Sequence, residues 1–523
     1  MLSDDPLPVA QCPLLMALYR GKRRRNAAEL LVRRSMDSRE AGTLLRHNMN
    51  ILRGILLQDN RKFVKVWTKT SKSPIMYENG NIYFENYLNC YSCLHTEPRN
   101  LYKLPKRSKQ EKIEDVLLCQ SPLEKTLSSP SDHKPSILAL TASNWLYRLS
   151  ADTGEELQKV YLSPKCKFKY LFWNDSQETF FIKSIQTKET PLERQAGISH
   201  NFMMHLAIFH VSPLQPVGIL EISKKAFGNG VVDVVLSQSL LAVTYRNKSV
   251  KMYSWEHIQQ MYLTEKLSLG KPSALLGNHT VGDMPFGIPV NIQITGSLPV
   301  LFEVSCFDSG VHVGGHPWHY IYTPPQKTHR GTHHIRSLRD GTMAINGIQN
   351  MDCCSLESDS ILFHPDDSGR IIHFGPTTIN VLRIRGELDS SSPSEVVEDF
   401  SMQIKRKSPT PDVTVTSSGR TVKKRFNQLD DDPCQETFRM VVYENEIDLL
   451  AVVITNGVDG EGRAQVQLRD NHSGQIWRAV DLEELWDETF QHELFFDRDT
   501  IVHVEQKNAN FCCHVYKLVT IKK

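Results

Sequence analysis

Two stretches hold most of the residues equipped for chemistry. Residues 351–376, "MDCCSLESDSILFHPDDSGRIIHFGP", carry two adjacent cysteines, two histidines and five carboxylates. Residues 312–334 carry six histidines: His312, His316, His319, His329, His333 and His334. Imidazole, thiolate and carboxylate are the ligands of zinc and related metals, and the groups of acid–base catalysis. Their spacing argues against both uses. Pro317, Pro324 and Pro325 break any helix that would carry a His-Glu-x-x-His motif, and no carboxylate follows among the histidines until Asp340. His364 and His373 flank a His-Pro-Asp-Asp-Ser-Gly turn, where Asp366 and Asp367 are expected to stay solvated. We expect scaffold at both places, with no metal and no cofactor.

The cysteines fit the same expectation. Eleven is an odd number, and only Cys90 and Cys93 have metal-like spacing, with no second pair at finger distance. The adjacent pairs Cys353-Cys354 and Cys512-Cys513 would face opposite ways on a strand, so neither pair shares one metal or bonds within itself. Buried, reduced, intracellular thiols are the expectation. Gly228-Asn229-Gly230 and Gly460-Glu461-Gly462 lack the Lys-Ser/Thr of a phosphate loop. No set of nucleophile, base and orienting group stands out, so we expect no catalysis.

The elements around these residues read as short strands. "SILALTASNWLYRLSADTGEELQKVYL" is strand, turn, strand, turn, strand, and Asn79-Gly80 joins two short apolar runs as a hairpin. The pattern recurs in "LLAVTYRNKSVKMYSWE", "VTVTSSGRTVKKRF", "LLAVVITNGVDGEGRAQVQLRDNHSGQIWRAVDL" and "ELFFDRDTIVHVEQKNANFCCHVYKL". Residues 361–384 are one more such unit. The most apolar windows, 202–211 and 231–245, are short and read as core strands rather than membrane spans. With 523 residues, 40% apolar and 23% charged, the chain is globular, and its net charge of +2 gives no global pull toward nucleic acid. Repeated up-and-down strand sets predict a mostly β fold, a β-propeller of about seven or eight blades, over residues 74–523. Polar insertions are expected at 103–136 and 386–412, the latter disordered.

The N-terminal region differs. Residues 1–42 read as a basic, partly disordered arm. Residues 43–66 hold an amphipathic helix, strongest over 43–57, whose stripe includes Leu45, Ile51, Leu52, Ile55 and Leu56. Nuclear-signal-like clusters occur at Lys22, Arg23, Arg24 and Arg25 and at Lys423, Lys424 and Arg425, with a third at Lys405, Arg406 and Lys407.

Longer motifs carry a resemblance. "GIQNMDCCSLESDSILFHPDDSGRIIH", "FGIPVNIQIT", "GGHPWHYI", "SGRTVKKRFNQLDDDP" and "ELFFDRD" closely resemble the vertebrate damaged-DNA-binding-protein- and cullin-four-associated factors, the seventeenth of that series. The similarity runs from about Leu44 to near the C-terminus and is weakest over residues 1–40. It implies a non-catalytic substrate receptor of a cullin-four RING ubiquitin ligase. Its implied partners are the damaged-DNA-binding adaptor, cullin-four through that adaptor, and protein substrates. It also implies a nuclear, nucleolus-enriched location. A helix beside the propeller commonly docks on the adaptor in this class, and residues 43–57 match that element. Many such receptors carry Trp-Asp-x-Arg at a strand end. Here Trp486-Asp487-Glu488 is followed by Thr489, and Trp173-Asn174-Asp175 by Ser176, so the Arg is absent from both. The alternatives are a nucleolar scaffold that binds RNA or ribosomal proteins through its basic patches and, ranked last, a metal-dependent enzyme. Replacing Lys22–Arg25 and Lys423–Arg425 together with neutral residues is expected to weaken nuclear accumulation, scored by imaging of tagged protein. A doubly altered chain that stays fully nuclear would place the import signal elsewhere.

Overall fold

In a computed structural model the chain is described from residue 49 to residue 521. Outside the description lie residues 79, 85–87, 105–110, 120–135, 152–153, 175–178, 186–201, 211–213, 238, 306–310, 316–317, 324–331, 352–358, 367, 387–392, 405–412, 416–420, 424–435 and 459–460. The described residues fall into two compact units, one spanning 73–305 and the other 49–72 with 311–521.

The 73–305 unit has four antiparallel meanders. The first joins Ile75–Glu78, Asn81–Phe84, Asn89–Ser92 and Arg99–Lys103. The second joins Ile113–Cys119, Ser136–Thr141, Trp145–Ser150 and Glu156–Tyr161. The third joins Phe168–Asn174, Thr179–Ser184, Phe202–His210 and Gln215–Ser223, and Val290–Gln293 adds a parallel edge. The fourth joins Val231–Ser237, Leu240–Tyr245 and Ser249–Ser254 to Phe302–Ser305, after an excursion that includes the helix Trp255–Tyr262. The core of this unit forms where meanders face one another, as Leu140, Phe168, Phe180 and Phe209 do.

The second unit also has four. Val311–Gly314, His319–Tyr322, Thr332–Ser337 and Met343–Asn350 form one. Ser360–Phe363, Ile371–Phe374, Thr378–Arg385 and Glu395–Gln403 form the next, and the pair Ile345 and Glu395 links the two sheets. Thr437–Glu444, Leu449–Val458, Glu461–Asp470 and Ile476–Leu485 follow, hereafter the 437–485 sheet. The last contains Gln491–Asp497, Thr500–Lys507 and Asn510–Thr520, hereafter the 491–520 sheet, and its fourth strand is Arg61–Ser71.

A four-stranded up-and-down sheet is the repeating unit of a propeller. The chain is therefore mostly β and blade-built, as its sequence predicts, and the apolar windows at 202–210 and 231–245 are core strands.

Three expected boundaries change. Residues 49–56 are helical, but the helix does not run to 66, because Arg61–Ser71 is a strand. Val64, Val66, Trp67, Thr68 and Thr70 suit a pleated surface, and the strand pairs from Arg61 with Thr520 to Ser71 with Phe511. The sheet region therefore begins at Arg61 rather than at residue 74. Ile113–Cys119, inside the expected 103–136 insertion, is the first strand of its meander. Glu395–Gln403, inside the expected disordered 386–412 insertion, pairs along Thr378–Arg385, with Val396 and Met402 buried.

Phe63 lies in the core on the inner face of the Arg61–Ser71 strand, while Lys62 points outward. Phe63→Ala is expected to lower the unfolding midpoint in denaturant at a cost of about 3–5 kcal/mol. Lys62→Ala should stay within about 0.5 kcal/mol. Equal effects would mean that this strand is not seated as described.

Candidate functional site

The helical segment 49–56 is anchored from its middle. Arg53 Nε donates to Ile447 O at 2.6 Å and Nη2 to Asp448 O at 2.8 Å. The guanidinium lies 4.8 Å from the centre of the Trp477 ring. Arg478 Nη2 donates to Gln58 O at 3.1 Å and to Arg61 O at 2.9 Å, which holds the bend into the strand.

The apolar stripe divides. Leu56 is 1% exposed in the core shared with Phe63, Leu449 and Leu494, and Leu52 and Ile55 pack against that core. Ile51 is 49% exposed and Leu57 44%. Leu45 lies outside the described residues. Of the five residues expected to meet an adaptor, Leu56 is thus occupied by its own fold, Leu52 and Ile55 partly so, and Ile51 is open.

Arg53 opens a buried polar network that ends in the His-Pro-Asp-Asp-Ser-Gly turn. Asp448 Oδ1 accepts from Tyr443 OH at 3.0 Å and from Asn471 Nδ2 at 2.7 Å. Asn471 Oδ1 accepts from His364 Nε2 at 2.7 Å. Arg370 Nη1 donates to Asn471 O at 2.9 Å, and Nη2 to Asp366 Oδ2 at 2.5 Å. His364, Arg370 and Asn471 are buried. Asp366 is therefore held within the network, contrary to the expectation that it stays solvated. Burial would raise its pKa, but hydrogen bonds and charges from His364 and Arg370 outweigh that and hold the carboxyl well below its usual range. Asp367 lies outside the description.

The histidine-rich stretch disperses. His333 Nε2 donates to Asp359 Oδ2 at 2.7 Å, and its Nδ1 accepts from Thr323 Oγ1 at 2.7 Å. His373 Nε2 reaches the same carboxylate oxygen at 3.3 Å. His334, on the other face of its strand, lies with Nδ1 3.1 Å from Tyr322 OH, and His319 is buried separately. His316 and His329 lie outside the described residues. Sequence spacing gave no sign of the Asp359 partnership, since its members are 26 and 14 residues apart.

A third group lies between the 437–485 and 491–520 sheets. Glu484 accepts from Lys65 Nζ at 2.9 Å, from His503 Nδ1 at 2.5 Å and from Tyr516 OH at 2.5 Å. His492 Nε2 donates to Asp487 O at 2.8 Å, and its Nδ1 lies 3.1 Å from His503 Nε2. Because Asp487 O can only accept, a neutral His492 has its lone pair on Nδ1. His503 Nε2 is then placed to donate across that contact. Burial works against the charge on Glu484, but His503 and Tyr516 hold it well below the usual carboxylate range. His492 stacks on Trp486 with ring centres 3.7 Å apart. In the Trp486-Asp487-Glu488-Thr489 stretch, Trp486 is buried, and Asp487 bonds its own turn through Thr489. Cys90 is inert by contrast, its thiol pushed up to about 12 by burial. Lys423 ends a short hairpin strand; Lys22, Arg23, Arg24, Arg25, Lys424 and Arg425 lie outside the described residues.

These features define a mostly β protein of blade-like sheets with a short helix built into its last two. A family model described as DDB1- and CUL4-associated factor 17 matches residues 47–518. Curated relatives of that same name are 56% identical in Danio rerio, covering 94% of this chain and 95% of the relative, and 49% identical in Homo sapiens, covering 95% and 96%. The chain belongs to the DDB1- and CUL4-associated factor 17 family. Solved structures similar to it include BamB from Moraxella catarrhalis, 8% identical with a TM-score of 0.33, covering 87% of this chain and 100% of that one. Another is Kluyvelomyces marxianus Hsv2, 10% identical with a TM-score of 0.30, covering 76% and 89%. Among the described residues no helix is long and apolar enough to cross a membrane.

The turn that receives Arg53 carries a pH-sensitive group. Glu444 is buried, and its Oε2 accepts from Ile447 N–H at 2.8 Å. Burial raises its pKa from 4.5 to about 7. A raised carboxyl pKa means that the folded state holds the proton more tightly. Its stabilising contribution is full below the unfolded pKa and is lost as pH rises through the folded one. Glu444→Gln keeps the acceptor and removes the ionisation. It should match the parent near pH 4 and exceed it by about 2–3 kcal/mol near pH 8, read from denaturant midpoints at both pH values. A variant no more stable than the parent at pH 8 would contradict this.

Proposed function

We propose that this chain is a substrate receptor of a cullin-four RING ubiquitin ligase, acting in the nucleus with enrichment in the nucleolus. The observation that carries the proposal is family membership: the relatives are named for association with DDB1 and CUL4, and they align over nearly the whole chain. In this reading the chain performs no chemistry. It holds a protein substrate near a ubiquitin-charged enzyme and raises the effective concentration of the reacting groups. The acyl transfer belongs to its partners.

Adaptor docking falls to the outer edge of the helical segment. Ile51 and Leu57 are its exposed large apolar residues, whereas helical periodicity groups Leu45 with Leu52 and Leu56. Leu52, Ile55 and Leu56 support that edge from beneath by packing on the core. The missing Trp-Asp-x-Arg arginine leaves this edge with a larger share of the contact.

Two aspartate substitutions separate docking from folding. Ile51→Asp should leave thermal unfolding within about 0.5 kcal/mol of the parent and reduce adaptor recovery in affinity purification at least tenfold. Leu56→Asp places an unpaired charge in the core and should destabilise the free protein by several kcal/mol, on the order expected for an unpaired buried charge. Normal adaptor recovery with Ile51→Asp and Leu57→Asp combined would refute docking through this edge. Adaptor and cullin retained at high salt support the receptor reading. Partners that depend on RNA and disappear with salt would favour a nucleolar scaffold.

A further inference from the structure

The outer end of the 491–520 sheet carries side chains that neither folding nor adaptor docking calls for. Thr500–Lys507 and Asn510–Thr520 form a hairpin in which Glu505 faces Cys512 and His503 faces His514. Strand alternation puts all four on one face. Further in, that face is apolar, with Ile501, Tyr516 and Leu518 in the core. The change to histidine, glutamate and cysteine is abrupt.

We propose that Glu505, Cys512 and His514 bind a transition-metal ion of the zinc class. Their ligand atoms all lie within 4.8 Å of one another. His514 Nε2 and Glu505 Oε2 are 3.3 Å apart. Zinc bonds of about 2.0 Å in a tetrahedron set neighbouring nitrogen and oxygen ligands about 3.3 Å apart, so this edge already fits. The other imidazole nitrogen is held from behind: Nδ1 lies 3.3 Å from Thr68 Oγ1 on the neighbouring strand. Donating there fixes the tautomer that leaves the Nε2 lone pair for the ion. Thiolate, imidazole and carboxylate together favour zinc over magnesium or calcium. Cys512 is partly exposed, which gives an ion access, whereas Cys513 is fully buried on the opposite face.

His492 and His503 stand beside this set, and their ligand atoms also come within 4.8 Å of that of Glu505. Both rings are engaged in the chain from Glu484 to Asp487 O, so they border the site, and water completes the coordination. Binding exchanges the Cys512 S–H bond for a sulfur–metal bond and releases the proton to solvent. The group of His333, Asp359 and His373 is a weaker candidate. It has no soft ligand, and the Nδ1 of His373 is buried without a hydrogen-bond partner to orient the ring.

The test is titration of the reduced, metal-free full chain with Co2+, followed by absorption spectroscopy. We expect a thiolate-to-cobalt charge-transfer band, tetrahedral d–d bands, and loss of both when Zn2+ is added. Cys512→Ser should abolish the charge-transfer band and weaken binding at least tenfold. Cys513→Ser should retain both. Glu505→Gln, on the facing strand, should weaken binding yet keep the band, which separates a ligand effect from a damaged sheet. A parent chain without the band would overturn the proposal. So would a Cys512→Ser variant that keeps the band.

Discussion

The second unit depends on one long-range pairing, that of Arg61–Ser71 with Asn510–Thr520. It begins with Arg61 opposite Thr520 and ends with Ser71 opposite Phe511. Closing such a loop carries an entropic cost that grows only slowly with length. What the strand returns is local and large. It covers an edge that would otherwise expose unpaired backbone groups, and it brings Phe63 into the core and Lys65 to Glu484. The helical segment follows from the same constraint. Once Arg61 is fixed, the residues just before it must lie against the 437–485 sheet, where Arg53 and Leu56 find their places.

Buried charge is the second organising feature of this unit. Arg53, Asp448, Asn471, His364, Asp366 and Arg370 connect the helix to a hairpin far along the chain. Such a network is not a cheap source of stability, because desolvation cancels much of the attraction. Its effect is directional. Removing one partner leaves an uncompensated charge, typically at a cost of about 3–5 kcal/mol, so the network penalises any arrangement in which the helix and the turn fail to meet. An apolar stripe alone can slide; a guanidinium gripping Ile447 O and Asp448 O cannot.

Much of the architecture was legible in the residues. Alternation and turn chemistry located the hairpins at 75–84, 136–161, 240–254, 361–384, 449–485 and 491–520, because a strand with one buried face must alternate and a tight turn needs its particular residues. The errors have a common cause. Arg61–Ser71 carries four lysines and arginines and reads as part of the basic helix, since its partner strand lies at the other end of the chain. Glu395–Gln403 follows a serine-rich run and reads in sequence as an extension of it. The polar clusters were less legible still. Asp359 joins His333 to His373, and Asn471 joins His364 to Asp448, through contacts between strands that no local spacing reports. The Cys512-x-His514 and His503-x-Glu505 spacings were the one available signal, because a separation of two on strands means a shared face.

Native-state hydrogen exchange on the full chain, resolved by peptide mass spectrometry, tests the central claim most directly. If Arg61–Ser71 is an integral strand, its amides and those of Asn510–Thr520 should be protected to the same degree and should lose protection together as denaturant is added. Rapid exchange across residues 61–71 while 510–520 remains protected would contradict the account. The N-terminal segment would then be a loose arm, and its apolar residues would need a different explanation.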